Sequence, residues 1–186
     1  MHCESRIPSD EAYRLLVSGN EEYLHTSQHS GDISSKRRTE TAENGQHPYA
    51  VVISCSDSRV IPEVIFSAGI GDLFTIRTAG NTIDRCTLGS IEYAVSHLGC
   101  TLVVILGHTD CGAVTSAIRS EHIGHVGSIL RRIKRGIGHE RKVCVACEKN
   151  VGFSLENLRK HYPEPDGVRY VGAMYDIRTG KVTFLE

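Results

Sequence analysis

Two short segments hold most of the side chains that could do chemistry in this chain. They read Cys-Ser-Asp-Ser-Arg at 55–59 and His-Thr-Asp-Cys at 108–111. A thiolate, an imidazole and a second thiolate are typical zinc ligands, and three protein ligands leave one tetrahedral position open for water. His108 and Cys111 are three residues apart, so both could bind one ion together with Cys55. An open position is the arrangement of a catalytic metal site rather than a structural one.

A carboxylate and a guanidinium stand beside the first of these cysteines. Asp57 and Arg59 are two residues apart. Arginine can bind a carboxylate through two parallel hydrogen bonds, which would keep Asp57 ionised and oriented. Its oxygen could then accept a hydrogen bond from a hydroxide at the metal. The alternative is a surface ion pair that contributes little to stability.

Each segment follows an apolar, β-branched run that is typical of a strand buried on both faces. Strands that alternate with helical patterns predict an α/β fold with a mainly parallel central sheet flanked by helices. Ligands bind such sheets beyond the carboxyl ends of the strands, where the two segments lie. Strands are predicted at 49–54, 72–77 and 101–106, and as a pair around a Thr-Gly turn between 168 and 184.

The spacing of apolar residues separates predicted helices from predicted loops in the rest of the chain. Residues 25–48 are polar and predicted to form a loop or extended arm. The stretch 112–135 is predicted to be interrupted around Gly124 and Gly127. Helices are predicted at 9–24, 87–98, 112–135 and 143–161.

Length and charge limit the classes of protein that remain. The chain has 186 residues and a formal net charge of −1, which fits one domain of ordinary size. We assign 1–48 to an N-terminal helix and arm and 49–186 to a zinc-binding α/β catalytic part. A near-neutral balance argues against a nucleic-acid partner, and the basic run at 131–135 is interpreted as a solvated helix face.

The cysteines and the apolar runs indicate a compartment. No run approaches the roughly 18 apolar residues of a membrane span, so no membrane partner is expected. There are seven cysteines, an odd number, and the N-terminus has no apolar export segment. A secreted disulfide scaffold usually has an even number, so a reducing, cytoplasmic location is predicted.

A second cysteine pair, Cys144 and Cys147, falls inside the helix predicted at 143–161. A structural zinc site would need another Cys/His pair nearby. A thioredoxin-type motif would stand at a helix N-terminus directly after a strand. Packing is therefore the favoured interpretation of this pair, and redox chemistry or adventitious metal binding are the alternatives.

The two segments together resemble the zinc motifs of the β-class carbonic anhydrases. The resemblance begins near residue 10 and covers most of the chain. It implies one zinc ion per subunit held by Cys55, His108 and Cys111, with Asp57 and Arg59 as a catalytic dyad. Further similar stretches are Arg-Thr-Ala-Gly-Asn at 77–81, Ile-Glu-Tyr-Ala at 91–94, Asn-Val at 150–151 and the terminal segment at 172–182.

The resemblance also implies an activity and an assembly. The activity is zinc-dependent, reversible hydration of carbon dioxide to bicarbonate and a proton through zinc-bound hydroxide, because zinc lowers the pKa of bound water to around 7. The assembly is a homodimer, or a higher homo-oligomer built from dimers, with active sites at the subunit interface. The N-terminal helix and arm would then pack on the dimer partner.

Two departures from the family pattern refine this expectation. Thr78 stands where the family commonly has Asn, a mild change. Val52 stands where some members carry the Trp of a non-catalytic bicarbonate site, and this chain has no Trp. The chain therefore resembles the subgroup with an open water position and no such bicarbonate site. In the other subgroup the carboxylate can swing onto zinc, so Asp57 is a conditional fourth ligand.

Two other functions stay open from the sequence. One is a non-catalytic zinc or thiol protein in which Asp57 or another residue closes the fourth position permanently. The other is a hydrolase on the same scaffold that acts on carbon disulfide or carbonyl sulfide, which are linear like carbon dioxide. The unmodified motif at 55–59 favours carbon dioxide. Asp57 or a nearby histidine is a candidate for the proton relay.

Overall fold

A five-stranded sheet forms the centre of the fold in the computed structural model, which describes residues 6–120 and 124–185. The strands are β1 (Ala50–Cys55), β2 (Leu73–Thr78), β3 (Leu102–His108), β4 (Arg169–Tyr175) and β5 (Val182–Leu185). Their order is β2-β1-β3-β4-β5. The first four strands are parallel and β5 is antiparallel to β4. The predicted α/β fold with a mainly parallel sheet is thus confirmed.

Helices cover the sheet, and none among the described residues is long and apolar enough to cross a membrane. A 3-10 turn, Ala79–Asn81, follows β2 directly. The helices are α1 (Ser9–His25), α2 (Ser35–Asn44), α3 (Pro62–Ile65), α4 (Arg85–Ser96), α5 (Gly112–Arg119), α6 (Val126–Ile137) and α7 (Val143–His161).

One prediction about helices is wrong and another is confirmed. The segment 25–48 was expected to be a loop or arm, yet it contains α2, which begins where Ser34 Oγ accepts the Arg37 N–H at 3.1 Å. None of the α2 residues is buried. The sequence therefore lacks the apolar periodicity from which a helix could be predicted there. The interruption expected around Gly124 and Gly127 is confirmed, because α5 ends at Arg119 and α6 begins only at Val126.

The two central strands are buried on both faces. Every residue of β1 and of β3 is buried, because helices pack on each side of a parallel sheet. The apolar runs at 49–54 and 101–106 therefore predicted these strands correctly. Since β1 ends at Cys55 and β3 ends at His108, the polar side chains of both segments emerge at the same edge of the sheet.

Helix α1 packs against the sheet of its own chain. Leu16 is fully buried. One helical turn later, the side-chain amide of Asn20 binds three backbone groups outside α1. Its Nδ2 donates to the carbonyls of Ile65 at 3.1 Å and Gly180 at 2.9 Å, and its Oδ1 accepts the Val182 N–H at 2.8 Å. Packing of the N-terminal helix and arm on a dimer partner stays a prediction.

Replacement of Asn20 tests this anchor. Asn20→Ala leaves two buried carbonyls and one buried N–H without their partner, and we expect the free energy of unfolding to fall by about 3 kcal/mol. Urea unfolding at one fixed protein concentration measures it, because assembly also shifts apparent stability. The control is Asn44→Ala in exposed α2. Equal stability of the two variants would contradict the assigned role of Asn20.

The cysteines outside the two segments divide into buried and exposed thiols. All six cysteines within the described residues are free, and Cys3 lies outside them. Burial raises the pKa of Cys100 to about 12 and that of Cys147 to about 11. Cys86 and Cys144 are exposed. The packing interpretation of the second cysteine pair is therefore confirmed for Cys147, whereas Cys144 faces solvent.

Alkylation of the native protein tests this division. At pH 8 we expect iodoacetamide to modify Cys86 and Cys144 at least tenfold faster than Cys100 and Cys147, because a thiol with a raised pKa holds little thiolate and burial blocks access. Peptide mass spectrometry with time resolves the sites, and the urea-unfolded chain is the control in which all four react. Rapid native modification of Cys100 would refute the assignment.

Candidate metal centre

Three elements bring the three predicted metal ligands together. Cys55 is the last residue of β1, His108 is the last residue of the adjacent strand β3, and Cys111 is the residue before α5. Their ligand atoms all lie within 4.8 Å of one another, and the residues are only 5%, 1% and 1% exposed. The set is spaced as the ligands of one metal ion would be.

The imidazole of His108 is oriented for metal binding. Its Nδ1 lies 2.8 Å from the carbonyl oxygen of Thr109. Because a carbonyl can only accept, Nδ1 carries the proton and Nε2 presents its lone pair. Nε2 is buried and has no hydrogen-bond partner among the described residues. A buried nitrogen without a partner is unfavourable, and a cation would satisfy it.

The two thiols shift each other's pKa in opposite directions. The pKa of Cys55 is lowered to about 4, first by a hydrogen bond from the Cys111 thiol and further by backbone N–H groups such as that of Gly80. The pKa of Cys111 is raised, because its proton is held against the Cys55 sulfur and because it is buried. A divalent cation can take the place of that proton. Two sulfurs and one imidazole nitrogen are a donor set that fits zinc.

A backbone N–H completes the surroundings of the first sulfur. Gly80, in the turn after β2, donates its N–H to Cys55 Sγ at 3.3 Å. Its φ is +67°, and a Cβ there would lie 2.6 Å from Ile133 Cδ1 and 3.2 Å from Ala113 Cβ. Only glycine fits this position. The motif at 77–81 was noted in the sequence, but nothing there indicated a contact with the sulfur.

The predicted dyad forms in the structure. Arg59 Nε donates to Asp57 Oδ1 at 2.9 Å and its Nη2 donates to Oδ2 at 2.7 Å. The guanidinium holds the pKa of the Asp57 carboxyl below its usual range. Asp57 Oδ2 also lies 4.0 Å from His108 Nε2. An ionised, oriented carboxylate oxygen thus stands next to the unpartnered nitrogen.

Arg77 is a residue of the site whose contribution the sequence did not reveal. Its Nε donates to the carbonyl of Cys55 at 3.3 Å and its Nη2 donates to the carbonyl of Asp57 at 2.8 Å. One side chain therefore binds the backbone on both sides of residue 56. It fixes the position of the Asp57 carboxylate relative to the sulfur.

Comparison with known proteins gives a family for this site. The carbonic anhydrase family model matches residues 50–182. Carbonic anhydrase 2 of Mycobacterium tuberculosis is 45% identical over 127 residues, which cover 66% of this chain and 61% of that protein. A carbonic anhydrase of Pseudomonas aeruginosa is 32% identical over 164 residues, which cover 76% and 74%. The chain spans about three fifths of the length of the mycobacterial relative.

Solved structures agree in the fold. A β-carbonic anhydrase of Aspergillus fumigatus superposes with a TM-score of 0.71 at 28% identity, covering 94% of this chain and 90% of that one. One of two tetrameric β-carbonic anhydrases of Sordaria macrospora has a TM-score of 0.72 at 25% identity, covering 93% and 96%. The sequence resemblance is confirmed: this chain belongs to the β class of the carbonic anhydrase family.

Proposed function

We propose that this protein catalyses the reversible hydration of carbon dioxide to bicarbonate and a proton, with one zinc ion per subunit bound by Cys55, His108 and Cys111. The observation that carries the proposal is the unpartnered Nε2 of His108, buried with the two sulfurs of Cys55 and Cys111 so that the three ligand atoms lie within 4.8 Å of one another. The ionised carboxylate of Asp57 lies 4.0 Å from that nitrogen. The family of the chain supports the same reaction.

The ligand set and the dyad have separate tasks in this reaction. When bound, zinc supplies the Lewis acidity that makes water a nucleophile near neutral pH. The two sulfurs and the imidazole would hold the ion and would leave a fourth position open for water or substrate. Asp57 would accept a hydrogen bond from the group at that position and orient it for reaction.

The bidentate pair with Arg59 determines how Asp57 acts. Both carboxylate oxygens are engaged by the guanidinium, so the side chain is held as a hydrogen-bond acceptor with a defined direction. To become a fourth metal ligand, the carboxylate of Asp57 would have to move from the position in which Arg59 holds it. The proposed working state therefore has the Asp57–Arg59 pair intact and the fourth position open.

The surroundings of Val52 support the absence of a non-catalytic bicarbonate site at this strand. Val52 is fully buried in β1, within a cluster of apolar side chains that includes Leu16 and Phe66. An anion placed there would lose its hydration without a charged partner in that cluster. We propose that bicarbonate does not regulate the protein through this position.

We propose a homodimer, or a larger homo-oligomer built from dimers, as the working assembly. No residue of helix α2 is fully buried within its own chain, and Ile33 just before it is 59% exposed. A second subunit that covers this arm would bury such surface. The Sordaria macrospora neighbour is described as tetrameric.

We propose a cytoplasmic location. The six cysteines in the described part of the chain are free, and exposed thiols such as Cys86 and Cys144 persist in a reducing compartment.

Replacement of each ligand tests the metal site. We expect Cys55→Ser, His108→Ala and Cys111→Ser each to abolish stoichiometric zinc and carbon dioxide hydration together, because two remaining ligands cannot hold the ion. Metal analysis and stopped-flow pH change are measured on the same purified sample, and Cys86→Ser is the control that keeps both.

Three results would contradict this assignment. A variant with full zinc and full activity would remove its residue from the site. Stoichiometric zinc in the natural protein without turnover would favour the non-catalytic alternative. Faster turnover of carbon disulfide or carbonyl sulfide than of carbon dioxide would favour the hydrolase.

Replacement of Asp57 tests the dyad. We expect Asp57→Asn to retain zinc and to lower kcat/KM for hydration by about 100-fold, because the neutral amide cannot replace an oriented carboxylate acceptor. Arg59→Ala should have a smaller effect in the same direction. Asp10→Asn, which breaks an exposed 3.3 Å ion pair with Arg169, is the control. Undiminished hydration by Asp57→Asn would exclude the dyad from catalysis.

A further inference from the structure

One face of α7 carries a stripe of polar side chains, although most of this face is buried inside the protein. Asn150, Ser154 and Asn157 are spaced i, i+4 and i+7, so they lie on the same side of the helix. The first two are only 1% and 4% exposed. The stripe donates to three backbone carbonyls: Asn150 Nδ2 to Gly80 O at 2.8 Å, Ser154 Oγ to Asn81 O at 3.3 Å and Asn157 Nδ2 to Ile83 O at 3.5 Å.

The backbone that this stripe holds is unusual in its conformation. Gly80 has a φ of +67° and Asn81 has a φ of +44°. Two consecutive residues in the left-handed region are unfavourable when one of them carries a side chain. Such a turn persists only where its surroundings stabilise it. Asn150 and Ser154 supply that stabilisation, since they bind the two carbonyls of the turn.

The other side of the same turn contacts the metal centre. The N–H of Gly80 donates to Cys55 Sγ at 3.3 Å, and the carbonyl of Gly80 accepts from Asn150 at 2.8 Å. A residue held at its carbonyl in this conformation has little freedom to rotate its N–H away. The hydrogen bond withdraws charge from the sulfur, and outer partners of this kind orient and tune metal ligands.

We propose that Asn150 is a positioning residue of the metal centre, which fixes the turn at Gly80 so that its N–H stays directed at Cys55 Sγ. The inference rests on the proposed function to the extent that Cys55 binds the metal. Asn150 touches neither the metal nor the substrate. It acts through one backbone residue, and Asn157, which binds a carbonyl three residues further on, does not act on the sulfur.

Cadmium NMR tests the contact directly in the natural protein. In a sample that is loaded with ¹¹³Cd²⁺ and ¹⁵N-labelled, a hydrogen bond from an amide to a ligating sulfur transmits scalar coupling between the amide proton and the metal. We expect the Gly80 amide to show this coupling. Its absence in the cadmium-loaded protein would overturn the proposal.

Variants then separate positioning from packing. Asn150→Ala and Asn150→Leu both remove the donor, and leucine refills the volume. We expect both to lose the Gly80 coupling and to raise the dissociation constant for zinc about tenfold, measured by competition with a chromophoric chelator. If the alanine variant does not fold, the leucine variant gives the same comparison.

Asn157→Ala is the matched control, because it removes an amide donor from the same helix face. We expect it to keep the coupling and to change zinc affinity by less than twofold. An undiminished coupling in folded Asn150→Leu, or an equal loss in Asn157→Ala, would overturn the proposal. Neither readout needs turnover, so a protein that shows the coupling but does not hydrate carbon dioxide would lose the proposed function and keep this inference.

Discussion

Two sulfurs and an imidazole nitrogen are buried within 4.8 Å of one another, and the rest of the site depends on this juxtaposition. Without a cation, the Nε2 of His108 has no hydrogen-bond partner among the described residues. Packing of this kind is unfavourable unless a metal ion or a hydrogen-bond network compensates it. The surrounding backbone is arranged accordingly, since N–H groups and one oriented carboxylate face the cluster.

The parallel sheet brings the ligand residues together without any special loop. β1 and β3 are neighbours and end at the same edge, so a cysteine and a histidine that are 53 residues apart come side by side. Helix α5 begins immediately after Cys111, which brings the second sulfur back to the same edge. The strands are buried on both faces and therefore rigid, so the ligands are held in place by the core rather than by a mobile loop.

The elements around the ligands act through the backbone. Arg77 binds the carbonyls on either side of residue 56, while Asn150 binds the carbonyl of Gly80. Arg77 holds Cys55 and Asp57 through their own carbonyls, whereas Asn150 holds Gly80, whose N–H binds the Cys55 sulfur. The site therefore depends on more polar residues than the three proposed ligands.

Features with local signals could be predicted from the sequence. The apolar runs of β1 and β3 predicted the central sheet. The cysteine, histidine, aspartate and arginine that follow these runs predicted the proposed metal ligands and the Asp57–Arg59 pair. Helix α2 was not predicted because none of its residues is fully buried, and apolar periodicity arises only where one face of a helix is buried. The stripe at 150, 154 and 157 does have a local signal, three polar residues at helical spacing, but its partners lie about 70 residues away.

The contacts between residues far apart in the sequence could be seen only once the helices were docked on the sheet. The tertiary structure brought the N–H of Gly80 to the Cys55 sulfur, the Asn150 amide to the Gly80 carbonyl and the Asn20 amide to the turn before β5. Hydrogen bonds to backbone groups leave no trace in residue type at the accepting position, because every residue carries the same carbonyl. Their pairing depends on how helices dock on the sheet, and that docking is a property of the whole core.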